Sequence, residues 1–180
     1  MSFVLGYLAE SIRILEEMIK NEGSHAVIDR MACILADMRS VGGRLFLAGS
    51  GGGAGHSSHA ESDFRNIAGI EAYALGDNVS ELTALANDYG WSGAYERSLK
   101  NSRLSAKDVL MIFSVGGGDE KRNVSPNLPA AIRYGKEVGA RILGVVGRDG
   151  GYTALHSDAC VVIPIVNTDH VTPHTEGFQA

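Results

Sequence analysis

Two histidines and an aspartate, His56, His59 and Asp63, follow a glycine-rich stretch at spacings of three and four residues. On a helix these spacings place all three side chains on one face. An imidazole and a carboxylate four residues apart can hold one divalent metal ion, or can act together as acid and base. A surface polar pair is the plainer interpretation, and the neighbouring glycine-rich stretch favours the chemical one. Glu176 or His174 is the candidate for a third metal ligand.

The glycine-rich stretch itself, Gly49–Gly55, comes directly after the apolar run Leu45–Ala48, which is typical of a short buried strand. Glycines let the backbone turn tightly and approach a ligand closely. The first turn of the following helix then directs free N–H groups and the positive end of its dipole at that ligand. We therefore predict a phosphate or sugar-phosphate site, to which Ser50, Gly51, Gly52 and Gly53 contribute.

The same glycines allow two other interpretations. Gly49, Gly51 and Ala54 have the spacing of a dinucleotide-binding fingerprint, which also needs an acidic residue at the end of the second strand. Glu71 comes too early and Asp77 too late for that role, so a dinucleotide site ranks below a phosphate cradle. A purely structural turn is the other alternative.

A second glycine-rich loop follows the third apolar run of the chain. Ser114 and Ser125 supply hydroxyls, and Gly116 and Gly117 supply backbone N–H groups, so this loop is predicted to bind the same anion. Ser125 is also predicted to cap a helix that has Pro126 at its first position. The loop lacks the lysine and hydroxyl pair of a P-loop, which argues against nucleoside triphosphate hydrolysis.

The tip of this second loop is the charged run Asp119–Arg122. Such a run is typical of a solvated excursion. Lys121 or Arg122 is nevertheless close enough in sequence to fold back onto a phosphate held by the loop.

Five short apolar runs alternate with helical segments and predict a parallel, doubly wound sheet with right-handed crossovers. The predicted strands are Leu45–Ala48, Ile70–Leu75, Val109–Val115, Arg141–Val146 and Ala159–Ile165. The predicted helices between them are Ser57–Arg65, Val79–Ala86, Gly90–Ser102 and Leu128–Val138. Ligands bind such sheets at the carboxyl ends of the strands, which is where both glycine-rich loops fall.

Two amphipathic helices precede the sheet, one over Phe3–Lys20 and one from about His25 to Val41, capped by Ser24. The first has an apolar stripe of Val4, Leu8, Ile12, Leu15 and Ile19. A subunit contact and a cover for one face of the sheet are both open interpretations of these helices. We expect one domain, with a helical pair over residues 1–42 and an α/β core over residues 43–180.

The composition is ordinary for a globular domain of 180 residues, with 44% hydrophobic and 21% charged side chains. A net charge of −5 gives no reason to expect nucleic acid or an acidic membrane as partner. No apolar run approaches the ~20 residues of a membrane-spanning helix, and the N-terminal region is a poor match to a signal peptide. The two cysteines, Cys33 and Cys160, lie in apolar surroundings far apart in sequence. We predict that both are reduced, buried thiols of a cytoplasmic protein.

Several of these motifs occur together and in order: the Gly49–Gly53 turn with His59 and Asp63, the segment Asn87-Asp88-Tyr89-Gly90, the Ser114 loop, and Asp149-Gly-Gly. In this combination the whole chain resembles the sugar isomerase (SIS) domain family, and within it the phosphoheptose isomerases. The resemblance implies a three-layer αβα sandwich with a five-stranded parallel, flavodoxin-like sheet behind two N-terminal helices. It also implies a homotetramer with active sites between subunits, and conversion of sedoheptulose 7-phosphate to D-glycero-D-manno-heptose 7-phosphate for heptose biosynthesis.

The resemblance further assigns roles to individual residues. It implies zinc bound by His59 and Asp63, with Glu176 at the position of a family glutamine, and catalysis by these same three residues. It implies phosphate binding by Ser114 and Ser125, and it matches a family Asn-Asp pair to Asn87 and Asp88.

The chain departs from the family pattern at three places. Asp63 replaces the usual catalytic glutamate, residues 119–123 are inserted in the second loop, and the last family histidine falls beyond Ala180. We therefore expect the last helix to be cut at residue 180. A non-catalytic sugar-phosphate sensor or protein adaptor, and another sugar-phosphate enzyme such as an amino-sugar isomerase or a lyase, are the alternative functions.

Overall fold

Five parallel strands form the centre of the computed structural model, which describes residues 2–180. They are β1 (Leu45–Gly49), β2 (Ala72–Ala74), β3 (Val109–Ser114), β4 (Arg141–Val146) and β5 (Ala159–Val162). Their order across the sheet is β2-β1-β3-β4-β5. The direction in which the chain moves across the sheet therefore reverses between β1 and β3, as in flavodoxin-like sheets.

Seven α-helices surround this sheet and complete a three-layer sandwich. They are α1 (Phe3–Lys20), α2 (Glu22–Ser40), α3 (Gly52–Asn66), α4 (Val79–Asn101), α5 (Asn127–Glu137), α6 (Gly151–His156) and α7 (Val171–Gln179). A 3₁₀ turn, Thr168–His170, leads directly into α7. The predicted αβα architecture with two leading helices is confirmed, whereas the sequence did not predict the short helix α6 or the 3₁₀ turn.

The strands alternate side chains between the two faces of the sheet. Leu45 and Leu47 of β1 pack with α1, α2, α3 and α7, whereas Phe46 and Ala48 pack with α4 and α5. Both faces of β1 and β3 are buried, which explains why their sequences are almost continuously apolar.

Strand β3 ends one residue earlier than predicted, and β2 and β5 are each three residues shorter, for reasons that lie in their neighbours. Strand β2 contains Ala72–Ala74 rather than Ile70–Leu75, because it pairs with only three residues of β1. Strand β5 ends at Val162 rather than Ile165, since Pro164 follows two residues later and has no N–H to donate to a ladder.

Several helices also differ from prediction, and α3 begins at Gly52 rather than at Ser57. Helix α2 begins at Glu22 and is capped by Asn21, whose side chain accepts the Gly23 N–H at 3.0 Å, and not by Ser24. Helix α4 runs through both predicted segments, with Gly90 at φ 72° as a break inside it. Ser125 was wrongly predicted as a cap, because its φ of 45° is left-handed and α5 begins only after Pro126.

The apolar stripe of α1 is exposed in the single chain. Ile14 is the buried residue of this helix, while the exposed fractions of the stripe are 62% at Val4, 56% at Ile12 and 66% at Ile19. The stripe therefore does not cover the sheet of its own chain.

The two cysteines differ from each other. Cys33 is exposed on α2, so the prediction that it is buried was wrong. Cys160 is partly buried, and burial raises the pKa of its thiol to about 11. Within residues 2–180, the helices are all too short or too polar to cross a membrane.

A buried ion pair joins the amino ends of the two central strands, at the end of the sheet opposite the glycine-rich loops. Asp108, which precedes β3, is fully buried. Its carboxylate accepts the Arg44 N–H and Nη2 at 2.9 Å each, and the Ser105 N–H and hydroxyl at 2.9 Å each. Burial alone would raise the pKa of Asp108, but the hydrogen bonds from Arg44 and Ser105 outweigh it and the pKa is lowered.

We expect Asp108→Asn to lower the free energy of unfolding by about 3 kcal/mol, because an amide nitrogen would face donors that need an acceptor and Arg44 would lose its counter-charge. Urea unfolding at neutral pH measures this loss, and Asp37→Asn on the exposed face of α2 is the matched control. Since the pKa of Asp108 is lowered in the folded state, its contribution is present above the ordinary aspartate pKa of about 3.9 and is lost as the pH falls below it. Equal stability of the two variants at pH 7 would contradict this role.

Candidate active site

The first glycine-rich loop and the second meet where strand order reverses, at the carboxyl ends of β1 and β3. Between them lies a cavity of about 350 Å³, which we call the anion bowl. Its lining residues are Ser50, Ser114, Val115, Gly116, Asp119, Arg122, Val124, Ser125, Arg148, Asp149 and Thr172. Four of the predicted phosphate-binding residues thus line one cavity: Ser50, Ser114, Gly116 and Ser125.

Close packing of glycines places the start of α3 beside this bowl. A Cβ on Gly53 would overlap the carbonyl oxygen of Phe113 in β3, and a Cβ on Gly49 would overlap the backbone of Gly53. The carbonyl of Gly49 also accepts a 2.6 Å hydrogen bond from the Tyr95 hydroxyl, whose pKa burial raises to about 12. The amino end of α3, with its free N–H groups, is thereby held against the ends of both central strands.

The second loop is fixed by its own hydrogen bonds and by α6. The Ser114 hydroxyl accepts the Gly117 N–H at 3.0 Å, and the Gly117 carbonyl accepts the Thr153 hydroxyl at 2.7 Å. Gly117 has a φ of 68°, and a Cβ there would overlap the Gly150 carbonyl, so this position requires glycine. Gly117 therefore shapes the loop rather than lining the bowl.

Residues 119–124 form a small closed loop beside the bowl. Asp119 and Val124 pair as an isolated antiparallel bridge, and the Asp119 carboxylate accepts the Arg122 N–H at 2.9 Å and Nε at 2.5 Å. The backbone N–H and guanidinium of Arg122 hold the pKa of Asp119 below its usual value. Arg122 thus folds back toward the bowl, as the sequence allowed, and Arg148 lies at its other side.

The sequence analysis missed Asn127, which links the two loops. Asn127 is fully buried, and its amide donates to the Ser50 hydroxyl at 3.4 Å. Its Oδ1 has no hydrogen-bond partner among residues 2–180. An unpaired buried polar atom at this point is a sign of a functional position, but a single asparagine near a helix start carries no such signal in sequence.

His59 and Asp63 lie together on the exposed side of α3, as the spacing predicts. His59 Nε2 is 3.1 Å from Asp63 Oδ2. Both side chains line a second cavity of about 410 Å³, which we call the α3–α7 cavity. Its lining residues are His56, His59, Ala60, Asp63, Phe64, Ile67, Ala68, Met111, Phe113, Val145, Gln179 and Ala180.

Gln179 brings a further polar group to this cavity. The side chain is 6% exposed, and its Nε2 donates to the Val145 carbonyl at 2.9 Å. Its Oε1 has no hydrogen-bond partner in the part of the chain that the structure describes. Histidine nitrogen, carboxylate oxygen and amide oxygen are donors that suit zinc and similar divalent ions, so the residues at this cavity fit such a metal.

Glu176 lies elsewhere. Its carboxylate packs against Gly52 at the first turn of α3, whereas Asp63 lies eleven residues further along that helix, about 16 Å away at 1.5 Å per residue. The predicted metal set of His59, Asp63 and Glu176 is therefore not assembled within one chain. His174, the other candidate for third ligand, faces Glu10 instead.

Asn87 and Asp88 also lie outside both cavities. They are exposed on α4 just before the break at Gly90, and Asn87 Nδ2 donates to Asp88 Oδ1 at 2.9 Å. The structure of one chain thus gives these two residues no role in the site.

Sheet topology, the anion bowl at the reversal of strand order and the paired glycine-rich loops are those of an α/β protein with a candidate site for a small anion. The chain belongs to the SIS domain family, whose sequence profile matches residues 6–147. The phosphoheptose isomerase of Pelobacter propionicus is 31% identical over 164 residues, which cover 88% of this chain and 82% of that protein. The phosphoheptose isomerase of Burkholderia pseudomallei strain 1710b is 29% identical over 177 residues, with 95% and 86% covered.

A solved structure has the same architecture. Phosphoheptose isomerase GmhA of Neisseria gonorrhoeae superposes with a TM-score of 0.80 at 25% identity, covering 98% of this chain and 94% of the other.

We expect Gly53→Ala to lower the free energy of unfolding by about 2 kcal/mol, because its Cβ would force α3 away from the Phe113 carbonyl. Gly55→Ala is the matched control on the same helix, since a Cβ there meets nothing within 4 Å; it should raise stability by about 0.5–1 kcal/mol through helix propensity. Chemical denaturation of both variants measures the difference. Equal effects at the two positions would show that the close contact at Gly53 is not required.

Proposed function

We propose that the protein is an aldose–ketose isomerase that converts sedoheptulose 7-phosphate to D-glycero-D-manno-heptose 7-phosphate through an enediol. The observation that carries this proposal is the distance between the anion bowl and the His59–Asp63 couple. Gly52 and His59 are seven residues apart on one helix, about 10 Å at 1.5 Å per residue. An extended seven-carbon chain is of similar length, about 8–10 Å with C–C bonds of about 1.5 Å.

The anion bowl binds the phosphate of this substrate. Hydroxyls of Ser50, Ser114 and Ser125 and the N–H groups at the start of α3 donate to its oxygens, and Arg122 and Arg148 balance its charge. The backbone of Gly51, Gly52 and Gly53 lets the ligand approach closely.

The far end of the sugar then lies beside α3. Asp63 takes a proton from C1 of the ketose to give the enediol, and the same proton returns to C2 to give the aldose. His59, in contact with Asp63, holds the proton that moves between the oxygens on C1 and C2. A positioned acid or base of this kind contributes about 10²–10⁴-fold to the rate. Glu176, at the first turn of α3, is the third acid–base group along the path.

His59 and Asp63 would hold a zinc ion if the protein carries one, with Gln179 Oε1 as the further donor that the structure places at the same cavity. Such an ion acts as a Lewis acid toward the carbonyl oxygen. Glu176 completes a metal set with these residues only if it comes from another chain.

We further propose that the protein is a homotetramer with active sites between subunits. The exposed apolar stripe of α1 supports an association of copies, because its side chains have no cover within the chain. Asn87 and Asp88, exposed on α4, are then available to the site of a neighbouring subunit.

A cytoplasmic location is part of the proposal. Both cysteines are free, and unpaired thiols are ordinary in a reducing compartment.

We expect Asp63→Asn to lower kcat for sedoheptulose 7-phosphate by about 10²–10⁴-fold, because an amide cannot accept the C1 proton. A coupled assay for the aldose measures turnover, before and after treatment with a chelator, and Asp29→Asn on α2 is the matched control. Binding of the sugar phosphate without turnover in the unmodified protein would instead support the non-catalytic alternative. Full activity in Asp63→Asn would remove the role given to this carboxylate.

We expect Arg122→Ala to raise KM for the sugar phosphate about tenfold with little change in kcat, since a charge-assisted hydrogen bond to the phosphate is lost far from the reacting carbons. Steady-state kinetics and inhibition by inorganic phosphate measure the effect. Lys121→Ala is the control, because this neighbouring lysine does not line the anion bowl. An equal rise in KM in both variants would indicate a general charge effect of the loop.

A further inference from the structure

Three side chains from the two ends of the chain meet outside both cavities. Glu10 lies on α1, His170 ends the 3₁₀ turn and His174 lies on α7. One carboxylate oxygen of Glu10 is 2.7 Å from His170 Nδ1 and 3.0 Å from His174 Nε2. Within residues 2–180, this is the one group of three or more histidine, cysteine or acidic side chains whose ligand atoms all lie within 4.8 Å of one another.

The donor set suits a metal ion. Two imidazole nitrogens and one carboxylate oxygen are the ligands of three-ligand zinc sites, which leave a fourth position for water. The histidines are four residues apart, a spacing that places both on one side of a helical turn. Ligand atoms at about 2.1 Å from a tetrahedral ion lie about 3.4 Å from one another, so these atoms need only separate by a few tenths of an ångström.

A neighbouring amide orients the carboxylate of Glu10, and a bound metal ion would replace the protons that the two histidines share with it. The Asn167 amide donates to the second Glu10 oxygen at 2.7 Å, and its own oxygen accepts the Asp169 N–H at 3.0 Å, which fixes its orientation. Hydrogen bonds from Asn167, His174 and His170 lower the pKa of Glu10 to about 2, so this residue is a carboxylate at neutral pH.

His170 Nδ1 faces two groups at once. Asn167 Nδ2 lies 3.1 Å from it and a Glu10 oxygen lies 2.7 Å from it. One ring nitrogen cannot accept from the amide and donate to the carboxylate at the same time, and a cation bound to Nδ1 and Glu10 would take the place of these competing contacts.

Aromatic rings pack against both histidines of the cluster. Tyr7 stacks on His174 with ring centroids 4.7 Å apart, and Phe3 meets His170 edge-on at 5.8 Å. His174 is only 6% exposed. A low-dielectric wall of this kind strengthens the attraction between a carboxylate and a bound cation.

We propose that Glu10, His170 and His174 bind one divalent cation of the zinc class, which ties helix α1 to helix α7. The site contains neither His59 nor Asp63, and it does not depend on the proposed isomerase activity. Because α7 also carries Glu176 and Gln179, the ion fixes the helix from which both residues reach α3.

Cobalt is the probe for this site, since Co²⁺ takes the same ligands as zinc and has visible absorption that reports its coordination. The full chain with His59→Asn and Asp63→Asn, which removes the other predicted site, is titrated with Co²⁺. We expect one Co²⁺ per chain, absorption typical of nitrogen and oxygen ligands, displacement by Zn²⁺, and a higher Tm with metal than without it.

In the same background, His170→Asn should weaken Co²⁺ binding by at least about 100-fold. Loss of a residue that only hydrogen-bonds to a metal ligand weakens binding by about 10–100-fold, so a larger effect identifies His170 as a ligand itself. Glu10→Gln, which keeps the shape of the side chain, is the second variant in case the first folds poorly, and His25→Asn on the exposed face of α2 is the control. Circular dichroism of the metal-free proteins checks their fold. Absence of Co²⁺ absorption at excess metal, or binding unchanged in both variants, would overturn the proposal and leave the cluster as an ion pair between helices.

Discussion

The fit between α3 and the central strands is the constraint on which the rest of the structure depends. Gly49 and Gly53 leave no room for a Cβ between β1, α3 and the carbonyl of Phe113. This contact places the amino end of α3 beside Ser114, and so brings the parts of the candidate anion site together from segments that are far apart in sequence. The same helix then carries His59 and Asp63 at a fixed distance from that end, so one contact sets the position of both halves of the candidate site.

Helix α7 contributes side chains to both cavities. Thr172 lines the anion bowl, Glu176 faces the first turn of α3, and Gln179 lines the cavity beside His59 and Asp63. The helix is only nine residues long, and a short helix is not stable alone in water. Its position therefore depends on side-chain contacts at its ends, and the hydrogen bonds of Glu10 to His170 and His174 supply one set of them.

Much of this fold follows from local sequence. Arg141–Val146 was predicted to the residue, because Ile142–Val146 is a continuous run without a polar side chain, as expected of a strand with neighbours on both sides. The lengths of β2 and β5 depend on the strand that each one meets. Asn21 and Ser24 are both residue types that cap helices, so the sequence alone does not decide which of them caps α2. Likewise, the periodicity of α1 identifies an apolar stripe, but it contains no information on what covers that stripe. The pairing of His59 with Asp63 is visible from a spacing of four, whereas the placement of Glu176 and Gln179 is decided by how α7 packs on α3.

The edges of the sheet limit how copies of this chain can meet. One edge strand, β2, has three residues, and the other, β5, has four and is followed by Pro164. Strand edges this short offer few free N–H and C=O groups to a neighbouring chain, which protects against β-type aggregation. The proposed assembly would therefore use helical faces, where side-chain shape selects the partner and backbone hydrogen bonding does not.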